Sequence, residues 1–204
     1  MNNSWIFPGQ ASQKIGMGKD LYDKTEIGKK YYKTANEILE ADIQSISFNG
    51  PEELLKETKY TQPAIFIVSV IIGHAMIEKG YTPNIVAGHS LGEYSAVVVS
   101  GGFDFSTGLE LVKLRAESMQ NAGKINPGTM AAIIGLSSDD VNNLCDEIST
   151  DKIVVVANYN TKNQIVVSGH VEAVENLMIY AKEFGARMVI PLNVSGAFHS
   201  PLMS

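Results

Sequence analysis

Cysteine is nearly absent from this sequence, which contains one, at position 145, among its 204 residues. A single thiol excludes an internal disulfide and is typical of proteins in a reducing compartment. The chain also lacks the C-x-x-C and H-E-x-x-H spacings that are typical of metal sites. Because Cys145 lies in the helix-like stretch DDVNNLCDEI, we expect a small buried hydrophobic residue there rather than a nucleophile.

An excess of positive charge and a long hydrophobic run are lacking too. The net charge is −6 and the pI is about 5.2, which argues against nucleic acid or an anionic membrane as a partner. The longest apolar run, Ala64 to Ile77, is shorter than the ~20 residues that span a bilayer, so we expect a buried helix and no membrane segment. No basic segment followed by an apolar core opens the sequence, so no secretory signal is predicted and the expected location is the cytoplasm.

Strand-like and helix-like segments alternate along the first half of the chain. Short strands are predicted at Trp5 to Phe7, before the turn PGQASQ, and at Ile85 to Ala87. The predicted helices cover residues 17–23, 27–39, 61–79 (with Pro63 in its first turn) and 91–99, and a further helix opens at Thr107 with a capping box. This alternation predicts an α/β fold with a helix-rich larger domain.

Residues 128–192 have a different pattern of predicted strands and helices. The strand-like segments TMAAIIGL, IVVVAN, QIVVSG and ARMVIPL are combined with two helical segments, near 139–148 (opened by Ser137 and Ser138) and 171–184. The order is strand, helix, strand, strand, helix, strand, which is that of the ferredoxin-like split unit. We therefore predict a large domain over 1–127, a ferredoxin-like small subdomain over 128–192, and a return to the large domain over 193–204.

The stretch NIVAGHSLGEYSAVVV places Ser90 between two glycines. It fits G-x-S-x-G, a pattern in which a sharp turn between a strand and a helix exposes a nucleophilic serine. Both the strand and the helix are predicted here, so Ser90 is a candidate nucleophile, and a serine in that role needs a neighbouring base. Of the four histidines, His199 lies in the loop-like segment NVSGAFHSPLMS; from its position it is either that base or an ordinary surface histidine.

Two further features could serve such a serine. The oxyanion that forms during acyl transfer requires two donors. The N–H of Leu91 is one candidate, and the turn Gly9–Ala11 can supply the other, with a plain tight turn as the alternative. Arg115 also has two interpretations: a solvated residue paired with a carboxylate such as Glu110 or Glu117, or a buried guanidinium that grips a substrate carboxylate.

Seven blocks of sequence, distributed from Phe7 to Met203, resemble a known family of enzymes. They are FPGQASQKIGMGKDLY, TQPAIFIVS, AGHSLGEYSA, FDFSTGLELVKLRAESMQ, GTMAAIIGL, NQIVVSG and VSGAFHSPLM. In this order they resemble the malonyl-CoA:acyl-carrier-protein transacylases. The resemblance implies an α/β-hydrolase-like large domain with an inserted ferredoxin-like subdomain. It also implies transfer of a malonyl group from malonyl-CoA to acyl carrier protein for fatty acid synthesis.

The resemblance further implies roles for individual residues. Ser90 would carry the malonyl group and His199 would be its general base, while the backbone amides of Gln10 and Leu91 would form the oxyanion hole. Arg115 would bind the free carboxylate of the malonyl group. The implied partners are malonyl-CoA and an acyl carrier protein, with no metal or other cofactor, in a ping-pong reaction carried out by a monomer.

Other features of the resemblance concern specificity and extent. Phe198, directly before the histidine, resembles the malonyl-selecting form of the motif in polyketide acyltransferases. Ala11 stands where the family usually has glycine. The family normally continues well beyond the histidine, so we expect its C-terminal third to be missing here. The alternatives are a malonyl acyltransferase that serves a polyketide synthase in trans, a serine hydrolase or thioesterase, and an inactive fragment that binds without turnover.

Overall fold

The computed structural model describes residues 3–194 and 196–204, which form two units of structure. The first unit ends at Glu117 and the second begins at Ser118. Helices and strands occur in both units, so the predicted mixed α/β class is confirmed. The finer boundaries at 1–127, 128–192 and 193–204 stay a prediction.

The first unit is rich in helices. Its elements are β1 (Ser4–Phe7), α1 (Lys19–Lys24), α2 (Glu26–Leu39), α3 (Ile43–Asn49), α4 (Glu52–Leu55), α5 (Thr58–Glu78), β2 (Ile85–Gly88) and α6 (Gly92–Val99). Helix α7 (Phe105–Ile125) begins in this unit and ends in the second. Strands β1 and β2 pair in parallel, with Phe7 opposite Gly88. The loops that follow the two strands therefore begin side by side at one edge of the sheet.

Helix α5 forms the centre of the first unit's core. Its residues Ala64 to Ile67 are at most 2% exposed, and Tyr32 of α2 is fully buried in the same cluster. Within the described residues α5 is the one helix long and apolar enough to cross a membrane, but most of it is buried inside the unit. A core helix of a globular domain has the same character, and the burial of α5 agrees with the sequence prediction.

The second unit contains a four-stranded sheet and two helices. Its elements are β3 (Thr129–Ile134), α8 (Ser138–Ile148), β4 (Val154–Thr161), β5 (Gln164–Gly169), α9 (Val171–Glu183) and β6 (Met188–Pro191), followed by one turn of 3₁₀ helix (Pro201–Met203). The strands lie in the order β4-β5-β3-β6, and every pair is antiparallel. Ser137 caps α8 in a capping box with Asp140. The order of elements and this cap are those predicted from the sequence.

One face of this sheet is covered by helices and part of the other by the segment around Phe198. On one face, side chains of β3 and β5 pack with α8 and α9 in a cluster that includes Ile133, Ile165, Leu144 and Leu177. On the opposite face, Phe198 packs with three strand residues, Met130, Ala132 and Val166. The segment that carries Phe198 and His199 is thus packed against the sheet through the Phe198 side chain.

Helix α5 begins earlier than the sequence predicted. It starts at Thr58 rather than Thr61, so Pro63 lies inside the helix and not in its first turn. Thr61 stabilises the added turn, because its buried Oγ1 donates to the Leu55 carbonyl at 2.6 Å. A polar first turn with no apolar periodicity conceals this start from sequence patterns.

Three other predicted details also differ. Helix α7 begins at Phe105, and the capping side chain is Asp104, whose Oδ1 accepts from the Thr107 N–H at 2.8 Å, so the capping box at Thr107 was wrong. The short helices α3 and α4 were not predicted. Strand β4 continues to Thr161, beyond Asn158, because it stays paired with β5 through two register shifts.

Candidate active site

Ser90 stands on a sharp turn between β2 and α6. Its φ is +53°, a left-handed conformation that is uncommon for any residue other than glycine. The preceding residue ties the turn to the neighbouring strand, since the His89 N–H donates to the Phe7 carbonyl at 3.0 Å. A strained serine between a strand and a helix is the geometry that the G-x-S-x-G pattern predicts.

The two glycines of the motif are required by close backbone packing. A β-carbon at Gly88 would collide with the backbone of Gly92 and Glu93, and one at Gly92 would collide with the Phe7 carbonyl. The turn can therefore bring α6 directly against β1 and β2 only if both positions lack a side chain. This packing leaves Ser90 at the N-terminal end of α6, where the Gly92 N–H donates to the His89 carbonyl and the Glu93 N–H to the Ser90 carbonyl.

Arg115 of α7 reaches the serine directly. Its Nη2 donates to the Ser90 Oγ at 2.9 Å, and its Nη1 donates to the Gln62 Oε1 at 2.6 Å. Gln62 is a fully buried residue of α5. The structure thus brings together two predicted site residues and one that the sequence did not suggest.

The guanidinium of Arg115 is half-buried and forms no ion pair with the described residues. Burial lowers its pKa below the usual value for arginine, yet a guanidinium stays protonated at neutral pH. In the part of the chain that the structure describes, Arg115 takes part in no ion pair, so the pairing with Glu110 or Glu117 that the alternative interpretation required is not formed. The Tyr94 ring lies 5.8 Å from its Cζ and is its aromatic neighbour. The site therefore contains a guanidinium without an ion pair beside a serine hydroxyl, and the carboxylate that acts on it electrostatically, Glu93, partly offsets the effect of burial on its pKa.

The predicted oxyanion-hole residues lie in the same unit. Gln10 follows β1, and its side chain makes two long hydrogen bonds, donating to Thr58 Oγ1 at 3.5 Å and accepting from Gln62 Nε2 at 3.4 Å. Leu91 is fully buried and directly precedes α6. Among residues 3–194 and 196–204, neither backbone N–H donates a hydrogen bond to the protein, so both are available as donors.

The remaining predicted site residues belong to the second unit. Phe198 is buried in the cluster beneath the sheet, whereas His199 is exposed and has a φ of +59°. Ser200 fixes the residues around it, since its Oγ donates to the Ala197 carbonyl at 2.6 Å and accepts from the Leu202 N–H at 3.3 Å. The roles of His199 as base and of Phe198 in selecting the acyl group stay predictions.

Unusual backbone conformations occur at or beside several predicted site residues. Four non-glycine residues in the described part of the chain have positive φ: Ala11, Glu40, Ser90 and His199. Glu40 ends α2, where a left-handed residue is common. The other three are the predicted nucleophile, the predicted base and a neighbour of Gln10. Strain of this kind persists where the surrounding structure enforces it and is typical of functional sites.

Gln62 is the site residue that sequence reasoning missed. It is the single amide in the segment TQPAIFIV, and a polar side chain in a buried apolar run requires a partner. That signal indicates a buried hydrogen bond but does not identify its partner. No cluster of His, Cys, Asp and Glu suited to a metal ion occurs among the described residues.

Known proteins resemble this chain over its whole length. A malonyl CoA-acyl carrier protein transacylase from Bacillus subtilis is 42% identical over 201 residues, which are 98% of this chain and 63% of that protein. The solved structure of a malonyl CoA-acyl carrier protein transacylase from Coxiella burnetii matches with a TM-score of 0.95 and 36% identity, covering 100% of this chain and 65% of that one.

A further match is a malonyl-transacylase solved in complex with a type II polyketide synthase acyl-carrier protein, with a TM-score of 0.94, 39% identity and coverage of 100% of this chain and 66% of that one. The chain thus spans slightly less than two thirds of the length of these relatives. Its residues 4–204 match the family of acyl transferase domains. By that match this chain belongs to the acyl transferase domain family.

Proposed function

We propose that this chain transfers a malonyl group from malonyl-CoA to the phosphopantetheine thiol of an acyl carrier protein in fatty acid synthesis. The observation that carries the proposal is the contact of 2.9 Å between Arg115 Nη2 and Ser90 Oγ. A fixed cation that forms no ion pair, beside a serine on a strained turn, suits an acyl group that ends in a carboxylate. The relatives named malonyl CoA-acyl carrier protein transacylase support the same substrate and acceptor.

In the first half-reaction Ser90 Oγ forms a bond to the thioester carbonyl carbon of malonyl-CoA, and its proton passes to His199. The carbon–sulfur bond then breaks, and His199 returns the proton to the departing sulfur, so that CoA leaves as the thiol. The N–H groups of Gln10 and Leu91 donate to the oxyanion of the tetrahedral intermediate. The product is a malonyl ester on Ser90.

In the second half-reaction the phosphopantetheine thiol gives its proton to His199, and its sulfur bonds to the ester carbonyl carbon. The carbon–oxygen bond breaks and Ser90 regains the proton. Throughout, Arg115 holds the free carboxylate of the acyl group. An acetyl group would leave this half-buried guanidinium without an anion, which favours malonyl over acetyl by about 1–3 kcal/mol.

The proposal also includes a more specific description of the fold of each unit. The sheet order of the second unit, with its two helices on one face, supports a ferredoxin-like subdomain. The strand–serine–helix turn in the first unit supports an α/β-hydrolase-like domain. We propose that the protein acts in the cytoplasm as a monomer, without a metal or other cofactor.

The test is the intact mass of the chain after brief incubation with malonyl-CoA, with acetyl-CoA in parallel. We expect a malonyl adduct on the wild-type chain, a much slower acetyl adduct, and no adduct on Ser90→Ala. Rapid release of malonate without carrier protein would instead indicate a hydrolase. Binding of malonyl-CoA with no adduct would indicate a protein that binds without turnover, and either result would overturn the proposal.

A polyketide synthase is a second candidate setting, because one similar structure is a malonyl-transacylase bound to the acyl-carrier protein of a type II system. The chemistry at Ser90 would be the same, and the carrier protein alone would differ. Transfer from the malonylated chain to a fatty-acid carrier and to a polyketide carrier, measured in one competition, separates the two. A strong preference for the polyketide carrier would assign the chain to polyketide synthesis instead of fatty acid synthesis.

A further inference from the structure

Gln62 is placed where it can control the direction of the Arg115 side chain. It lies in the interior of α5, fully buried, and its amide oxygen accepts the short 2.6 Å hydrogen bond from Arg115 Nη1. Because a guanidinium has donors and no acceptor, the oxygen of this amide must be the atom that faces it. The bond to a charged donor is of the strong class.

The remaining polar atom of the Gln62 amide points back to the loop after β1. Its Nε2 donates to Gln10 Oε1 at 3.4 Å, and Gln10 in turn donates to Thr58 Oγ1 at 3.5 Å. Thr58 and Gln62 lie one turn apart on α5 and thus share a face of the helix. These long contacts join the loop that contains Gln10 to the same buried amide that holds the guanidinium.

The contacts of Arg115 with the protein leave some of its N–H groups to bind a substrate. A guanidinium has five N–H donors, and the contacts to Gln62 and Ser90 use two of them. Anchoring Nη1 prevents rotation of the planar group and keeps Nη2 directed at the serine, while the other N–H groups stay free to bind a carboxylate. A neutral amide does this without cancelling the positive charge, as a carboxylate at the same position would.

We propose that Gln62 is a positioning residue that determines acyl-group selectivity by fixing the Arg115 guanidinium beside Ser90. This inference rests on the proposed malonyl transfer and deepens it. The short 2.6 Å bond joins Gln62 to Arg115, which would bind the acyl carboxylate, whereas the contact of Gln62 with Gln10 is long, at 3.4 Å, so the main effect of Gln62 falls on acyl groups that carry that carboxylate. Acetyl transfer lacks the carboxylate and meets the guanidinium only through its contact with Ser90, so it depends less on Gln62.

The distinguishing experiment is the rate of Ser90 labelling by malonyl-CoA and by acetyl-CoA in Gln62→Met, followed by intact mass. Methionine fills a similar volume without an acceptor. We expect malonyl labelling to slow about tenfold, since a bond to a charged donor is lost, and acetyl labelling to slow much less. Equal slowing with both substrates would mean a merely structural role and would overturn the inference.

Two further variants keep the result interpretable. Gln62→Glu places a carboxylate against Arg115, and we expect malonyl labelling to slow further than in Gln62→Met while acetyl labelling persists. Gln44→Met, on α3 and away from these contacts, is the matched control and should label like the wild-type chain. Malonyl labelling of Gln62→Glu at the wild-type rate would contradict the inference even if Gln62→Met failed to fold.

A readout without acylation separates this inference from the proposed function. The chain contains two arginines, Arg115 and the exposed Arg187, so the guanidinium signals in a ¹⁵N NMR spectrum are simple to assign. A guanidinium held at Nη1 rotates slowly and gives separate Nη signals. We expect separate signals for Arg115 in the wild-type chain and averaged ones in Gln62→Met, with Arg187 averaged in both. Averaged Arg115 signals in the wild-type chain would overturn the positioning role, whereas a missing malonyl adduct alone would overturn the proposed function.

Discussion

The sheets of the two units differ in how completely they are covered. In the first unit the parallel register places Ile6 and Ile85 on the same face, and these side chains are 78% and 64% exposed. The opposite face carries Phe7, which is buried in the core. Parallel sheets normally have both faces covered, so this pair of strands is unusually bare on one side.

The antiparallel sheet of the second unit is covered more completely, and on its less covered face Met188 and Ile190 of β6 are 48% and 38% exposed. Helices α8 and α9 cover one side, and the segment around Phe198 covers part of the other. Strands and helices close in sequence complete this core, because an antiparallel sheet can be built with short connections. The second unit thus covers one face of its sheet and part of the other with its own residues, whereas the first unit buries α5 thoroughly and its sheet on one side only.

The chain contains a natural probe in each unit, which makes the comparison measurable. Its only tryptophan, Trp5, lies in β1 of the first unit. Its only cysteine, Cys145, is buried in α8 of the second. Tryptophan fluorescence therefore follows the first unit, and the reactivity of the thiol towards an aromatic disulfide follows the second.

The largest expected effect comes from the interior of the second sheet. Ile165 is 1% exposed in β5, so Ile165→Ala removes buried methyl groups and leaves a cavity. We expect a loss of about 2–4 kcal/mol in the free energy of unfolding, measured by Cys145 reactivity in a urea titration. Ile179→Ala, on the exposed side of α9, is the control and should change the value by less than ~0.5 kcal/mol. Equal effects of the two variants would contradict the description of this core.

Alkaline pH should weaken the second unit through Cys145. Burial raises the pKa of this thiol from 9.0 to about 12, so the unfolded chain releases a proton that the folded chain keeps. The stabilisation is complete below pH 9 and is lost as the pH rises towards 12. Circular dichroism in urea at pH 8 and pH 10.5 checks this, and Cys145→Ala should remove this part of the pH dependence. An identical pH dependence in that variant would exclude the thiol as its origin.

Acidic pH should weaken the first unit through His74. Burial lowers the pKa of this imidazole below 6.5, and its Nδ1 lies 2.7 Å from the Tyr31 hydroxyl. The unfolded chain binds a proton more readily, so the stabilisation present above pH 6.5 is lost as the pH falls through the folded-state pKa. Urea titrations followed by Trp5 fluorescence at pH 7 and pH 5 measure the loss. His74→Gln cannot titrate and should reduce the difference between the two pH values; an unchanged difference would contradict this origin.

The sequence could predict those elements whose signals are local. The segment QIVVSG forms a strand with the predicted bounds because β-branched residues stand between turn residues, and Ser137 caps α8 because its hydroxyl is in place for the first turn. The prediction that Pro63 lies in the first turn of α5 was wrong because burial of polar residues extends this helix towards its N-terminus. Tertiary packing overrides local preference in that case.

In the candidate site, too, some features depend on local sequence and others on contacts between distant residues. Ser90 was predictable because a strand, two glycines and a helix fix it locally. The partners of Arg115 were not, since Gln62 is 53 residues away along the chain and Ser90 is 25 away. Spacing within a helix carries no information about which distant side chain an arginine meets. That information comes from the packing of α5, α6 and α7.

A smaller effect is expected at Ala11, whose φ is +80°. An alanine in this conformation is strained, and glycine is not, although glycine loses more backbone entropy on folding. We expect Ala11→Gly to stabilise the first unit by about 0.5–1 kcal/mol, measured by Trp5 fluorescence in urea. Ala87→Gly, in the extended conformation of β2, should destabilise it instead. Destabilisation by both substitutions would show that the Ala11 methyl group forms contacts worth more than the strain.

The smallest expected effect tests the bare face itself. Ile85→Ala removes as many methyl groups as Ile165→Ala, but from a side chain that is 64% exposed instead of 1%. We expect a change of less than ~0.5 kcal/mol in the urea transition followed by Trp5, because little apolar area leaves water when this residue folds. Ile6→Ala, on the same face of β1, should behave alike. A loss above ~2 kcal/mol for either variant would mean that this face is packed in solution, and the contrast between the two sheets would then disappear.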